Sequence, residues 1–519
     1  MRIKHLGIKA FKNLRDFMIK FDAESPTTVL VGRNGTGKSN LLEAITIIFR
    51  DLDLGEGPTI AYHMDYELRG HQIRIITFPD ERREKAKIFV DGKGLTYNQL
   101  SKRKECLPNV VFGYYSGPSN RMEEHFRKHQ DNFYRSLLKG DKKPLRSLFY
   151  ARNVHSQFVL LAFYLMDDPS TSDLLRNKLR IEGLDSVLFV MRQPSWQSKS
   201  GDERFWRARG VVSDFLARVY NRALAPLRLK HRVLLGNVGY TKYSNLEHLY
   251  LYLKDMDALR SIASEYGTQK DFFSALESTY INELVSEVRI RVKARNVDGA
   301  LTFRELSEGE QQLLMVLGLL KFTKEDESLF LLDEPDTHLN PAWSLEYFDM
   351  LKKVVGTPKN SHILLATHDP LVIAGLERSQ VQIMQLDEET GRISAQMPDE
   401  DLKGMGIAGL LTSEVYGLRS QLDLETLELL DRKRELAVKA KLTEPEKKEL
   451  AKLNKHLAGL DITKTVRDPL YEEFVKAKTK LEIEEGLHIP VLTKEQQEKQ
   501  KELALKVLKD LKAKEKQDQ

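Results

Sequence analysis

The stretch Gly32-Arg33-Asn34-Gly35-Thr36-Gly37-Lys38-Ser39 constrains this chain more than any other. It follows a compact apolar run, Val29-Leu30-Val31, and precedes Asn40 to Phe49, whose apolar spacing predicts a helix. A strand, a glycine-rich turn ending in Lys-Ser and then a helix form a phosphate loop, which requires an α/β sheet behind it. The glycines let backbone amides turn inward onto phosphates, where the helix N-terminus adds partial positive charge. On this pattern Gly32, Asn34, Gly35, Gly37, Lys38, Ser39 and Asn40 are the expected nucleotide contacts. Lys38 would neutralise phosphate charge and the Ser39 hydroxyl would ligate Mg²⁺.

Two later segments fit the same sheet. Leu329-Phe330-Leu331-Leu332 is an apolar run ending in Asp333-Glu334. Four apolar residues in a row predict a strand buried on both faces, and carboxylates at its C-terminal end lie where α/β crevices form. Alone this is a common strand exit; beside a phosphate loop it places Asp333 on the metal and Glu334 on the attacking water. Ser361 to Ala366 predicts another buried strand, leading to His368 beside a γ-phosphate.

The first 122 residues otherwise alternate apolar and polar positions as short strands and hairpins do (Ile3, Leu6, Ile8; Met18, Ile19, Phe21). Residues 123–287 are charged with few turn signals, predicting a helical insertion. Strand patterns return over 288–400, and 401–519 is again charged and helix-like, with Ala504, Val507, Leu508 and Leu511 at helical spacing. The predicted architecture is therefore an α/β head split by a helical insertion and followed by a C-terminal helical region for assembly or partner docking.

Composition narrows the setting. The 519 residues are 41% hydrophobic, enough for sizeable cores, and 81 basic residues nearly balance 76 acidic ones. A single cysteine, Cys106, excludes an internal disulfide or a cysteine metal hook. The opening segment carries a charge every few residues, and the longest apolar run, Phe158 to Met166, is far short of the ~20 residues that span a bilayer. The expectation is a cytoplasmic protein with no membrane partner. Basic clusters at Lys102-Arg103-Lys104, Arg127-Lys128-His129 and Lys142-Lys143 predict solvated faces more readily than DNA contacts.

Between the phosphate loop and Asp333 stands Leu306-Ser307-Glu308-Gly309-Glu310-Gln311, and after it Asp336-Thr337-His338-Leu339-Asn340-Pro341. In this order the motifs resemble those of the ABC-type ATPases, in the branch containing SMC, Rad50 and RecF heads and the OLD nucleases. The resemblance implies a P-loop NTPase head with a mixed sheet, ATP and Mg²⁺ as ligands, and a composite site. In that site Ser307 and the Gly309 amide of one head cap the ATP of another, with Asp336 in the loop beside it. The commonest signature has glycine where this chain has Glu308. The family's Q-loop glutamine is poorly matched: Ser116 or Asn120 would substitute, a structural turn fits equally, and Gln72 is a weaker candidate.

The insertion lacks long heptads, unlike Rad50 or SMC arms, and no Toprim-like order of acids follows the head. What remains is similar to the ATPases of bacterial anti-phage loci, the Septu and retron-linked families, notably in Phe149–Tyr164, Gly183–Trp196 and Gly409–Leu418. That similarity implies an oligomeric, slowly hydrolysing ATPase with Lys38, Glu334 and His368 as its catalytic groups. It implies no nuclease centre of its own, an HNH-type nuclease as partner, and room for nucleic acid in the assembled complex. The alternatives are a RecF-like repair ATPase that clamps DNA and a nucleotide-gated scaffold that does not hydrolyse.

Overall fold

The computed structural model describes residues 1–515 except 81–85, 142–145, 166–167, 236–241, 296–298, 324–326, 356–359, 440, 460–468, 488 and 490–491. Two compact units divide it, Met1–Ile373 with Arg378–Met397, and Ala374–Glu377 with Pro398–Gln519.

The first unit is built on a seven-stranded sheet in the order Ile393–Gln396, Val381–Leu386, Thr27–Val31, His362–Ala366, Leu329–Asp333, Val111–Tyr115, Leu148–Tyr150. All neighbours pair in parallel except the edge strand Ile393–Gln396. Thr27–Val31, Leu329–Asp333 and His362–Ala366 are buried at every position. Their largely apolar character follows from having both faces covered. On one face lies the helix Lys38–Leu54, which is followed by a six-stranded antiparallel sheet in the order Leu14–Lys20, Arg2–Phe11, Tyr62–Leu68, His71–Thr77, Ala86–Val90, Lys93–Leu95. Leu41, Ile45, Ile48 and Phe49 of the helix share one core with Leu6, Ile8, Met64 and Ile75 of that sheet.

His362 joins the two sheets. Its Nδ1 accepts the Ile3 amide at 3.2 Å, which leaves Nε2–H to face the Thr28 hydroxyl at 3.2 Å. Burial pushes its pKa down to about 3, so the ring stays neutral and the tautomer is set by these two partners.

The stretch 123–287, expected to be helical, is mixed. It contains the helices Glu123–Lys139, Val154–Phe163, Gly210–Arg222, Met256–Ala263 and Gln269–Ile281, but also the long strands Ile181–Arg192, Leu227–Leu235 and Lys242–Leu253. These pair antiparallel with Val285–Ala294 and Ala300–Thr302 in a five-stranded sheet. Val187, Phe189, Val190 and Met191 are buried in the first of these strands, and in Lys242–Leu253 the buried Leu249, Leu251 and Leu253 alternate with Tyr250 and Tyr252. That period of two, rather than the charge density, decided the structure.

On the opposite face of the seven-stranded sheet, Val154–Phe163 packs on Glu308–Thr323 and Gln269–Ile281. A methyl group on Gly318 would lie 2.0 Å from Val159 Cγ1, so the two helices can approach only with glycine there. Beside them Glu277 is fully buried and accepts from Arg146 Nη1 at 2.8 Å and His155 Nε2 at 2.7 Å. Burial alone would raise its pKa, but these two partners hold it at about 2.

The second unit is helical among its described residues: Gly406–Thr412, Leu424–Val438, Glu444–Gly459, Pro469–Glu484 and Lys494–Glu515. Arg419, nearly buried, is paired with Asp431. In the last helix Val507 is buried while Leu508 is exposed. No described helix is long and apolar enough to cross a membrane.

Replacing Glu277 by Ala leaves the Arg146 guanidinium buried without its counter-charge, so the first unit should lose about 3–5 kcal/mol. Urea unfolding followed by tryptophan fluorescence measures it; a loss below about 1 kcal/mol would show that the pair contributes little.

Candidate functional site

Parallel pairing puts the C-terminal ends of Thr27–Val31, His362–Ala366 and Leu329–Asp333 along one sheet edge, and the expected motifs leave from there. Gly32, Gly35 and Gly37 have φ of 148°, 87° and 87°, where L side chains are strained. At Gly32 a Cβ would also sit 2.2 Å from the Met384 carbonyl oxygen. The loop is therefore a glycine cradle by conformation and by space. Lys38 is buried, and its Nζ donates to the Gly32 and Arg33 carbonyls at 2.7 and 3.2 Å. Burial pushes the ammonium pKa down, and the nearby Glu334 and Asp333 carboxylates draw it back up.

Asp333 is 1% exposed, and burial pushes its carboxyl up to about 6. The Ser39 hydroxyl, Arg121 and Lys38 lower it; Glu334 raises it further. Neither carboxylate oxygen completes a hydrogen bond of normal geometry. A buried carboxylate with two unsatisfied oxygens beside a serine hydroxyl and the phosphate loop fits a magnesium ion held by Ser39 and Asp333.

Glu334 has φ +52°, an unusual value for a glutamate. Its amide donates to the Ala366 carbonyl at 2.8 Å, and its own carbonyl accepts from the Thr337 hydroxyl at 2.9 Å. These bonds hold the turn that presents the side chain to His368, whose Nδ1 lies 3.1 Å from Glu334 Oε1. Backbone strain of this kind persists where the surroundings over-determine it, and such places are often functional.

A residue not anticipated from sequence joins the cluster. Arg121, after Val111–Tyr115, is hydrogen-bonded to Asn40 and contacts Glu43 at 2.8 Å. Glu43 is also held by Lys12 at 2.6 Å and His125 at 2.9 Å. Burial would raise its pKa, but these partners keep it at about 2. Asn40, expected as a nucleotide contact, is therefore engaged by Arg121, and its amide donates to Asn13 Oδ1 at 2.5 Å. Asn13 in turn donates to the Gly35 carbonyl at 2.8 Å. Only a basic residue in the loop after the strand hinted at this in the sequence. Of the glutamine substitutes, Ser116 faces the Thr337 hydroxyl at 3.1 Å, while Gln72 pairs with Lys4 and Glu67 in the six-stranded sheet.

The signature segment forms a capping box. Ser307 begins the helix Glu308–Thr323; its amide and hydroxyl both reach Glu310 Oε2, at 2.7 and 2.8 Å, and its Oγ accepts the Glu310 amide at 3.3 Å. A Cβ on Gly309 would lie 2.3 Å from the His338 carbonyl oxygen, so glycine is required for the helix to meet the Asp336–Pro341 loop. Gln312 ties the two further, accepting the His338 amide at 3.1 Å and donating to Tyr114 Oη at 2.9 Å. The loop after Val111–Tyr115 and the start of the signature helix line one cleft of about 540 Å³. Asp336, expected at the nucleotide, is instead 5% exposed and accepts the Thr367 hydroxyl at 2.5 Å. Its burial raises the carboxyl to about 6.

Three residues of the basic clusters are used locally. Lys104 and His129 bind Asp53, at 2.7 and 2.9 Å, and Lys128 binds Glu56. Lys142 and Lys143 lie outside the described residues.

The family model described as AAA ATPase domain matches residues 1–149, and that described as AAA domain, putative AbiEii toxin, Type IV TA system, matches 244–374. The Septu protein PtuA of Bacillus mycoides (strain KBAB4) is 29% identical over 214 residues, which are 39% of this chain and 29% of that protein. The match therefore spans under a third of that relative's length. The Retron Vc95 probable ATPase of Vibrio cholerae serotype O1 biovar El Tor is 21% identical over 421 residues, 74% of this chain and 73% of that one. Among solved structures, an Smc head bound to the C-winged helix domain of ScpA aligns over 76% of this chain and 98% of its own, at 14% identity and a TM-score of 0.34.

Asp333 titrates near 6 when folded against about 3.9 when unfolded, so the native state binds the extra proton and stability falls as pH rises through that interval. Asp333→Asn should therefore stabilise the metal-free chain by on the order of 2 kcal/mol above pH ~7, with the gain vanishing below pH ~4. Thermal melts across that range in chelator check it; a pH-independent difference would contradict the buried-carboxylate account.

Proposed function

We infer that this chain, an ABC-type ATPase related to the Septu protein PtuA, binds ATP at the phosphate loop and hydrolyses it within an oligomer. Its nucleotide cycle governs a partner nuclease of the HNH type in defence against phage. What supports the hydrolytic reading most is the Glu334–His368 pair, carried on a strained turn at the same sheet edge as Lys38 and Asp333. A head that only held nucleotide would have no use for that strain.

In this reading Lys38 releases the Gly32 and Arg33 carbonyls and turns its ammonium to the phosphates. The loop amides fix the phosphate oxygens, and Ser39 and Asp333 hold Mg²⁺. The ion, when bound, neutralises phosphate charge. Glu334 accepts the proton of the attacking water at a carboxylate oxygen as the water oxygen bonds to the γ-phosphorus, and ADP departs with the electron pair of the broken P–O bond. His368, bonded to Glu334 through Nδ1, orients it beside the γ-phosphoryl group. Arg121 positions Asn40 and the start of the phosphate-loop helix. Ser307 and Gly309 act on the nucleotide of a neighbouring subunit, which makes the site incomplete in one chain. The names of the relatives, a Septu protein and a retron ATPase, support the defence setting. A nuclease encoded beside this chain is the expected binding partner, and co-expression followed by size-exclusion chromatography tests that part.

Glu334→Gln should bind ATP normally but turn it over roughly 10²–10⁴-fold more slowly; rates equal to the wild type would remove the base from Glu334. Lys38→Ala and Ser307→Arg chains, each inactive alone, should regain turnover when mixed, because in a mixed pair one of the two composite sites joins two intact faces. No recovery, with mixed oligomers demonstrated, would place hydrolysis within one subunit.

A further inference from the structure

The outer face of the six-stranded sheet carries a cluster that the ATPase site does not use. Between Arg2–Phe11 and Tyr62–Leu68 the register slips after Ile3, which opposes Tyr66, so that His5 opposes Asp65 and Gly7 opposes His63. This bulge turns His5 onto the solvent-facing side, where Asp65 and His63 alternate with the buried Met64 and Tyr66. Gly7 brings no side chain across from His63, and the two imidazoles come to 5.0 Å between centroids at 61°.

One nitrogen of each histidine and one Asp65 oxygen lie within 4.8 Å of one another. His63 Nε2 is 3.3 Å from Asp65 Oδ1. His5 Nδ1 and His63 Nε2 are both shielded from solvent, yet neither has a hydrogen-bond partner. Two unsatisfied nitrogens aimed at a carboxylate are costly unless something accepts their lone pairs. Two protonated imidazoles would repel each other, and burial with the neighbouring His63 already lowers the pKa of His5. Neutral imidazole is the metal-binding form. Asp65 is held by Arg74 Nε at 2.8 Å, a supporting contact of the sort that orients metal-bound carboxylates.

We propose that His5, His63 and Asp65 form a binding site for a divalent d-block cation of the zinc class, with water completing the coordination. Zinc–ligand bonds of about 2.0–2.2 Å place neighbouring ligand atoms about 3.4 Å apart. The His63–Asp65 separation already meets that spacing, and a rotation of the His5 ring brings in the third ligand. The two-nitrogen, one-oxygen set favours zinc over magnesium, which takes oxygen ligands. The site clamps the bulge of the strand that runs on to Lys12 and Asn13, and these contact Glu43 of the phosphate-loop helix and the Gly35 carbonyl. The cation would thus stiffen the edge of the nucleotide site without touching nucleotide.

The test uses the full chain carrying Asp333→Asn, so that the phosphate-loop metal site does not contribute. Zinc is titrated against a chromophoric chelator, and cobalt(II) is added as a spectroscopic probe. The expected result is one tight zinc per chain and intense visible bands of four- or five-coordinate cobalt. Adding His5→Ala and His63→Ala should weaken zinc at least tenfold, abolish those bands and remove the zinc-induced rise in Tm. Unchanged ATP binding shows that this variant is folded. Equal zinc affinity in the variant, or no zinc binding or only six-coordinate cobalt without it, overturns the proposal.

Discussion

The structure depends on one long-range pairing. Thr27–Val31 lies against His362–Ala366, and that strand lies against Leu329–Asp333, so strands separated by some 300 residues form the centre of one parallel sheet. Nothing local favours this; loop closure opposes it, and only the burial of both faces repays it. Once formed, the pairing aligns the strand ends, and the phosphate loop, Asp333-Glu334 and His368 come together without further design. The neutral His362, bonded to Ile3 and Thr28, ties the antiparallel sheet to the same frame.

What was legible in the sequence was local. The glycine spacing of the phosphate loop, the apolar strands and the acids at the end of one of them each carry their own reason, and the structure gathers these residues. Resemblance supplied the order of the motifs and hence the ABC-type head. The charges of residues 123–287 read as helix surface. Yet His248 to Leu253, alternating polar or aromatic residues with leucine, already had the period of a strand. Asp336 had the right neighbours for a nucleotide contact, but only the packing shows Thr367 taking its carboxylate.

Other features had little or no signal in the sequence. Arg121 matters because a loop folds back over Asn40 and Glu43. The His5, His63 and Asp65 cluster exists because of a one-residue slip in register. Cross-strand and cross-loop neighbours are set by tertiary geometry, and a pattern scan along one chain does not see them.

The capping box at Ser307 gives the proposed assembly surface an unexpected character. A serine awaiting a phosphate would be a hungry site, drawn to any anion. Here Glu310 already satisfies its amide and hydroxyl. In the proposed assembly, a phosphate arriving from another subunit would have to evict a carboxylate, and the contact would be an exchange of one anion for another. Its driving force is the difference between the two, not the full strength of either. In the proposed assembly such a surface would ignore weak anions and discriminate by charge density, so that a head facing a spent or empty neighbour would keep its own glutamate and let go.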